Sequence, residues 1–414
     1  MQTQMPQADV NHNIKYNTLN GVFAVLAMNL VMPFIAILAL KLDATNFQMG
    51  LISSLPPAVA LIAMLPGAFF VERFSSKKAV TGVLILLHRF FFVLLALTPL
   101  LSAHQVWFLV IVNGLMNLPG SVAGVAWQSF VAGAIPAQQR ARAFTYRNRL
   151  VSLFGMGITM LAGQIFRLLP QAQDTLYTVF FIIAFGFALF EVWFHFQMRE
   201  TVVVQSDLTR PCFKEVAAGL LKAKPYLVFC GCSLLFHFGW QMAWPLFSIH
   251  QVRNLGATES WIAIISVVNG GMAFLSYGMW RRLVEKKGNQ FALIFATLGI
   301  STSPFLYAMS TSLYHLVAVN GLIGVALAGI ILVLFNSLLD VVPDDGRTIY
   351  IAVYTMLINF SATIAPMVGI GLLEGAGIII ALSVAGTVRL LGTGAFALRY
   401  LKYRGTEADS HTPV

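Results

Sequence analysis

Twelve times along a chain of 414 residues, a run of about twenty apolar residues is closed by a short polar cluster. A helix needs about 20 such residues to cross a hydrocarbon core about 30 Å thick. The runs predict spans near 19–41, 47–71, 79–101, 105–133, 145–168, 176–198, 225–250, 258–280, 290–310, 313–340, 348–373 and 377–400. An all-α integral membrane protein follows. Only 10% of residues are charged, whereas a soluble domain uses roughly a quarter to coat its surface. The first residues, "MQTQMPQADVNHNIKYN", are polar and have neither a basic n-region nor a cleavage site, so no removable signal peptide is expected.

The net charge of +10 could suggest a nucleic-acid partner, but the positions of the basic residues argue against one. With the N-terminus in the cytoplasm, Lys41, Arg167 and Arg253 fall outside, Arg89 and Arg389 fall inside spans, and the other 21 of 26 fall on the cytoplasmic side. That is the positive-inside asymmetry of short loops. It places both termini in the cytoplasm, in a cell (inner) membrane, with anionic lipid heads as secondary contacts. Of the three cysteines, Cys230 and Cys232 lie two apart on span seven and Cys212 in a loop. Residues two apart on a helix face different ways, so no metal clamp or disulfide framework is implied, and no cofactor.

The chain repeats itself. "IPAQQR" at 135–140 and "VPDDGR" at 342–347 share proline and arginine at an offset of 207, as do Asn113-Gly114 and Asn320-Gly321. Asn29 and Pro33 pair with Gln241 and Pro245 at offset 212, and Lys41 with Arg253. Glu72 pairs with Glu285 at offset 213. Landmarks kept in order predict a duplicated six-helix unit, 1–198 and 225–414, in parallel orientation. Between them, 199–224 reads either as a solvated linker or as an amphipathic helix on the membrane surface, with Phe213, Val216, Ala217, Leu220 and Leu221 opposite Lys214, Lys222 and Lys224.

Twelve spans as six plus six, a long middle loop and both termini inside resemble the major facilitator superfamily. The specific marker is that family's loop between spans two and three, roughly G-x-L-x-D-R-x-G-R-K. Here "AFFVERFSSK" (68–77) keeps Glu72, Arg73 and Lys77 but has Ala68 and Ser75 for the glycines and Ser76 for an arginine. The second half has "RRLVEKKGNQ" (281–290), keeping Glu285, Lys286 and Gly288. The resemblance implies two pseudo-symmetric six-helix bundles and alternating access. It also implies gating roles for Glu72, Arg73, Lys77, Glu285 and Lys286, with Arg140, Arg347 and Asp340 as partners. Ordinary positive-inside charge is the simpler reading of each one alone.

In the family, spans one, four, seven and ten line a central cavity. Candidate lining residues are Met28, Asn29 and Met32 in span one, with His237, Trp240, Gln241 and Trp244 in span seven. Asn117, Asn269 and Asn359 are further candidates. Polar groups inside a membrane are costly and often functional, yet interhelical hydrogen bonds would explain the same amides. Arg89 in span three and Glu191 in span six differ in depth by roughly 5 Å at 1.5 Å per residue, which is within an arginine's reach. An intramembrane ion pair is expected, with a proton relay as the other reading. Arg389 has no acidic partner at its depth and would snorkel.

No carboxylate sits at mid-membrane on the lining spans, so a coupling proton or cation stays open, with His237 the titratable candidate. Span five, "GMGITMLAGQIF" (155–166), lacks the proline of the drug:proton antiporter pattern, and a partial echo, "ATIAPMVGIG", sits at 362–371. Aromatics, methionines and amides without a charged cluster suit a neutral or amphipathic small-molecule substrate, moved outward in preference to uptake of a polar nutrient. Met28, Met32, Met242 and His237 could serve copper, although methionine also packs membranes generally. A membrane-embedded enzyme would need a motif such as H-E-x-x-H or G-x-S-x-G, and none occurs. The chain is expected to be a monomeric transporter.

Overall fold

A computed structural model describes residues 6–74, 76–200, 222–343 and 347–409. The surface helix expected within 199–224 and the pair Asp344-Asp345 fall largely or wholly outside them. Among the described residues, twelve helices are long and apolar enough to cross a membrane: Gln7–Lys41, Asn46–Met64, Lys77–Leu100, Gln105–Val131, Ala143–Leu168, Pro170–Gln197, Lys224–Asn254, Glu259–Lys287, Asn289–Ala308, Leu313–Leu339, Ile349–Ala376 and Ile378–Lys402. These are spans one to twelve below. Among the described residues there is no strand.

Proline shapes several of them. Span one is two helices, Gln7–Asn29 and Met32–Lys41. Pro33 brings no N–H to the carbonyl one turn back, and the chain crosses the break by tight turns, Val31 N–H to Met28 O at 3.1 Å and Phe34 N–H to Val31 O at 3.1 Å. Span four is likewise split at Met116, three residues before Pro119. Span seven carries Pro245 inside its helix and ends in a π-type turn, His250–Asn254.

The chain divides into two compact units, 1–207 with 257–267, and 208–256 with 268–414. The sequence repeat assigns 257–267 to the second half, but its side chains pack on the first unit, for the reason given below.

In the first unit, span one packs on spans five and six, and span three on spans four and six. Polar bonds fix the end that carries the basic residues, here called the basic end. Buried Asn13 donates to Ala134 O and Arg199 O, both at 3.0 Å, and accepts from the Arg199 N–H at 2.7 Å. It therefore ties the N-terminal helix to the ends of spans four and six. Glu200 accepts from Ser76 Oγ at 2.6 Å and from the Lys78 N–H at 2.9 Å, an acid at the N-terminus of span three, where the helix dipole favours it.

The second unit packs span seven on spans eleven and twelve, and span nine on spans ten and twelve. Spans seven and twelve meet backbone to backbone. A Cβ on Gly239 would lie 2.7 Å from Arg389 N, and one on Gly392 would lie 2.6 Å from Phe236 Cα. Without a hydrophobic drive between helices in lipid, such close approach at small residues supplies packing.

Candidate functional site

Most of the amides singled out in the sequence bond within their own unit. Asn29 Nδ2 donates to Gly155 O of span five at 3.0 Å, and Asn117 Nδ2 to Asn113 O of its own span at 2.9 Å. In the second unit, Gln241 is 2% exposed. Its Nε2 donates to Ile358 O at 3.2 Å, and its Oε1 accepts from Ser361 Oγ at 2.6 Å. Asn269 Nδ2 donates to Asn320 O at 3.2 Å. The half-buried Asn359 accepts at its backbone carbonyl from Thr363 Oγ1 at 2.9 Å. Met28, Met32 and Trp240 are half-buried, and Trp244 is exposed. Asn29, Gln241 and Asn269 therefore knit helices together, and the less buried candidates are mainly thioether and aromatic.

His237 is 8% exposed and its Nδ1 lies 2.8 Å from Ser233 O. Its ring packs against Phe236, Trp240 and Tyr354. That is the environment of a packing residue. His237→Gln is therefore expected to leave the pH dependence of solute flux unchanged within about twofold; a flattened pH profile in proteoliposomes would show instead that this ring carries the coupled proton.

Arg89, Glu191 and Arg389, deep inside the spans, are engaged in two different ways. Arg89 and Glu191 form a bidentate pair, Nε to Oε2 at 2.8 Å and Nη2 to Oε1 at 3.1 Å. Both are buried, and Arg89 also donates from Nη1 to Met28 Sδ. Asn20 Nδ2 donates to Glu191 O at 2.9 Å, so span one holds the backbone of span six at that level. Arg389 does not snorkel. It is 1% exposed and donates to Gly239 O at 3.1 Å, Trp240 O at 3.1 Å, Ile300 O at 3.0 Å and Ser303 Oγ at 2.8 Å. Its place is set by Gly239, which lets span twelve come close enough for the guanidinium to reach carbonyls on spans seven and nine.

At the basic end, several of the residues expected to gate make bonds that the structure describes. Lys77 Nζ donates to Val71 O at 2.7 Å, closing the C-terminus of the preceding helix. Arg73 is exposed. Arg140 Nε donates to Ile135 O at 2.9 Å. Glu285 faces Arg281 of its own helix at 3.5 Å, both well exposed, beside exposed Lys286. Asp340 accepts from Asn289 Nδ2 at 3.1 Å. The side chains of Glu72 and Arg347 lie outside the described residues.

The opposite end of the first unit holds a cluster that the sequence reading missed. Glu259, 1% exposed, opens span eight, and its Oε1 accepts from Lys41 Nζ at 2.5 Å and from Tyr177 OH at 2.6 Å. Lys41 also donates to Gln173 Oε1 at 2.5 Å. Spans one and six thus grip the start of span eight, and Gly163 of span five leaves room for it: a Cβ there would lie 2.3 Å from Ala263 Cβ. This is why 257–267 packs with the first unit. Lys41 is one of three cations expected outside, which was the one available signal. Among the described residues, no three His, Cys, Asp or Glu side chains gather as a metal site.

Comparison with known proteins places this arrangement. The profile of the Major Facilitator Superfamily matches residues 18–228 and 229–413. No curated protein matches the sequence significantly. Among solved structures, a D-xylose-proton symporter is similar at a TM-score of 0.71 and 14% identity, covering 92% of this chain and 96% of that one. The nucleoside transporter NupG is similar at 0.68 and 12%, covering 94% and 99%. A bacterial homologue of the human lysosomal transporter Spinster, inward-facing and unoccupied, is similar at 0.67 and 12%, covering 95% and 99%.

Proposed function

The chain belongs to the major facilitator superfamily, and from that premise we propose that this transporter moves a small amphipathic organic solute by alternating access, preferentially outward. The membrane is the cell's inner membrane, and the basic end with both termini faces the cytoplasm, as the distribution of Lys and Arg favours.

One observation carries the substrate reading. The amides of Asn29, Gln241 and Asn269 are engaged in interhelical bonds, which leaves Met32, Trp240 and Trp244 as the more accessible candidates. Such side chains offer apolar, adaptable contact and little to pay for stripping water from a polyhydroxylated solute. Outward transport follows from the same chemistry, because amphipathic compounds enter through the bilayer unaided and only their removal needs a carrier.

A second reading is uptake of a polar nutrient. It is supported by the similarity to carriers of a nucleoside and of xylose.

Flux in proteoliposomes separates the two. Vesicles loaded with an amphipathic dye are expected to lose it at a rate that depends on the protein, and to accumulate neither uridine nor xylose. Accumulation of either nutrient without dye movement would replace the first reading by the second.

A further inference from the structure

Arg147 stands near the basic end of span five, in a setting that neither gating nor packing explains. Its guanidinium lies against span one at Gly21. A Cβ on Gly21 would fall 2.4 Å from Nε, 2.7 Å from Cζ and 2.8 Å from Nη2. Trp127 of span four provides an aromatic support, with Cζ 5.2 Å from its ring centroid, and Phe144 stands edge-on to that ring at 6.0 Å. Spans one and four therefore flank the guanidinium.

They use little of its bonding capacity. Nε donates to Asn17 O at 3.3 Å. Among the described residues, no hydrogen-bond partner is found for Nη1 or Nη2 and no carboxylate lies within ion-pair distance. The buried acid of this unit, Glu191, has both its oxygens bound to Arg89. Asn17 precedes Gly21 by one turn on the same helix face. It is fully buried, and neither its Nδ2 nor its Oδ1 has a partner.

A buried amide without a partner is costly unless something completes it, and beside it the half-buried guanidinium keeps Nη1 and Nη2 open to a further acceptor. A guanidinium fork presents parallel donors that match a carboxylate or phosphate bidentately, and the indole beside it suits an apolar ring or chain attached to that group.

We propose that Arg147, with Trp127, Gly21 and Asn17, binds the carboxylate or related oxyanion of a small amphipathic solute. This rests on the transport reading and narrows it: the solute is an organic anion. The same chemistry could recognise the phosphate of a lipid head, and the test separates the two sources.

The full-length protein is reconstituted in nanodiscs of neutral phosphatidylcholine. Its thermal midpoint is followed against benzoate and against benzamide, which has the same shape and no charge. Benzoate is expected to raise the midpoint with concentration, and benzamide not to. Arg147→Lys keeps the charge but not the fork, and should weaken the apparent benzoate affinity about tenfold. Arg147→Gln should abolish the response. Gly21→Ala alters no charge and displaces the guanidinium, so it should also abolish it. If Arg147→Gln does not fold, the lysine and Gly21→Ala variants carry the test.

Equal responses to benzoate and benzamide, or a full benzoate response in Arg147→Gln or Gly21→Ala, would overturn the site. So would stabilisation by phosphatidylglycerol, lost in Arg147→Gln, with no benzoate response in neutral discs; that outcome assigns the arginine to lipid heads. Absence of flux for any probe, with benzoate stabilisation intact, supports the anion site and removes only the transport reading.

Discussion

Alanine at Glu191 is expected to lower the stability of the folded protein by about 3–5 kcal/mol, and alanine at both Glu191 and Arg89 by less than either change alone. The carboxylate and the guanidinium share two hydrogen bonds, at 2.8 and 3.1 Å, and their side chains are 4% and 8% exposed. Removing one partner leaves the other charge in a medium that solvates it poorly. Removing both leaves a cavity but no naked charge. Unfolding midpoints of the four proteins in one detergent close the cycle. A double variant that loses as much as the two single variants summed would mean that the residues do not act on each other. A neutral Glu191→Ala would mean that water reaches the pair.

The second large effect is expected at the opposite end of the first unit. Lys41→Met leaves the Glu259 carboxylate buried with only Tyr177 donating to it, whereas Glu259→Gln removes the charge and keeps the shape. The lysine change should therefore loosen the start of span eight more than the glutamine change. A hydrogen bond to a charged group is worth about 1.5–3 kcal/mol, which is about a tenfold or larger change in the open population. Ser260→Cys reports it, because Ser260 is buried beside Gly163. In the Lys41→Met background, a membrane-impermeant maleimide should react with this cysteine at least about ten times faster than in Ser260→Cys alone. Gly163→Val should act in the same direction by pushing Ala263 away. Labelling no faster in either background would show that neither the charge contact nor the close approach holds the segment.

What could be read from the chain was what depends on one helix at a time. The twelve apolar runs appear as twelve helices because spanning length is a property of each run. Pro33 lies at the break in span one because a missing N–H acts locally, whereas the helix of span seven runs on through Pro245. The depths of Arg89 and Glu191 follow from helix rise alone, and the bond between them lies at those depths. What could not be read depends on which faces meet. Gln241 and Asn29 are polar residues in apolar runs, but only the positions of Ile358 and Gly155 decide whether such an amide faces solute or a neighbouring carbonyl. Glu259 reads as an unremarkable charge at a span's start, since its partners Lys41 and Tyr177 are more than eighty residues away in the chain. Arg389 reads as a residue that must snorkel, because nothing in the sequence announces that two helices will lend it their carbonyls.

That last arrangement bears on the order in which the chain enters the membrane. An arginine at the centre of a spanning helix adds about 2.5–3.5 kcal/mol to the cost of insertion. Span twelve is the last of the twelve to emerge from the ribosome, and every acceptor for Arg389 lies on spans seven and nine, which emerge earlier. Its receptor can already be in the bilayer when the helix arrives. Arg89 has the reverse schedule: span three emerges three spans before Glu191, so the first unit must shelter a lone cation until span six is made. Translation that pauses before span six should expose the N-terminal unit, and not the C-terminal one, to the cell's membrane quality control.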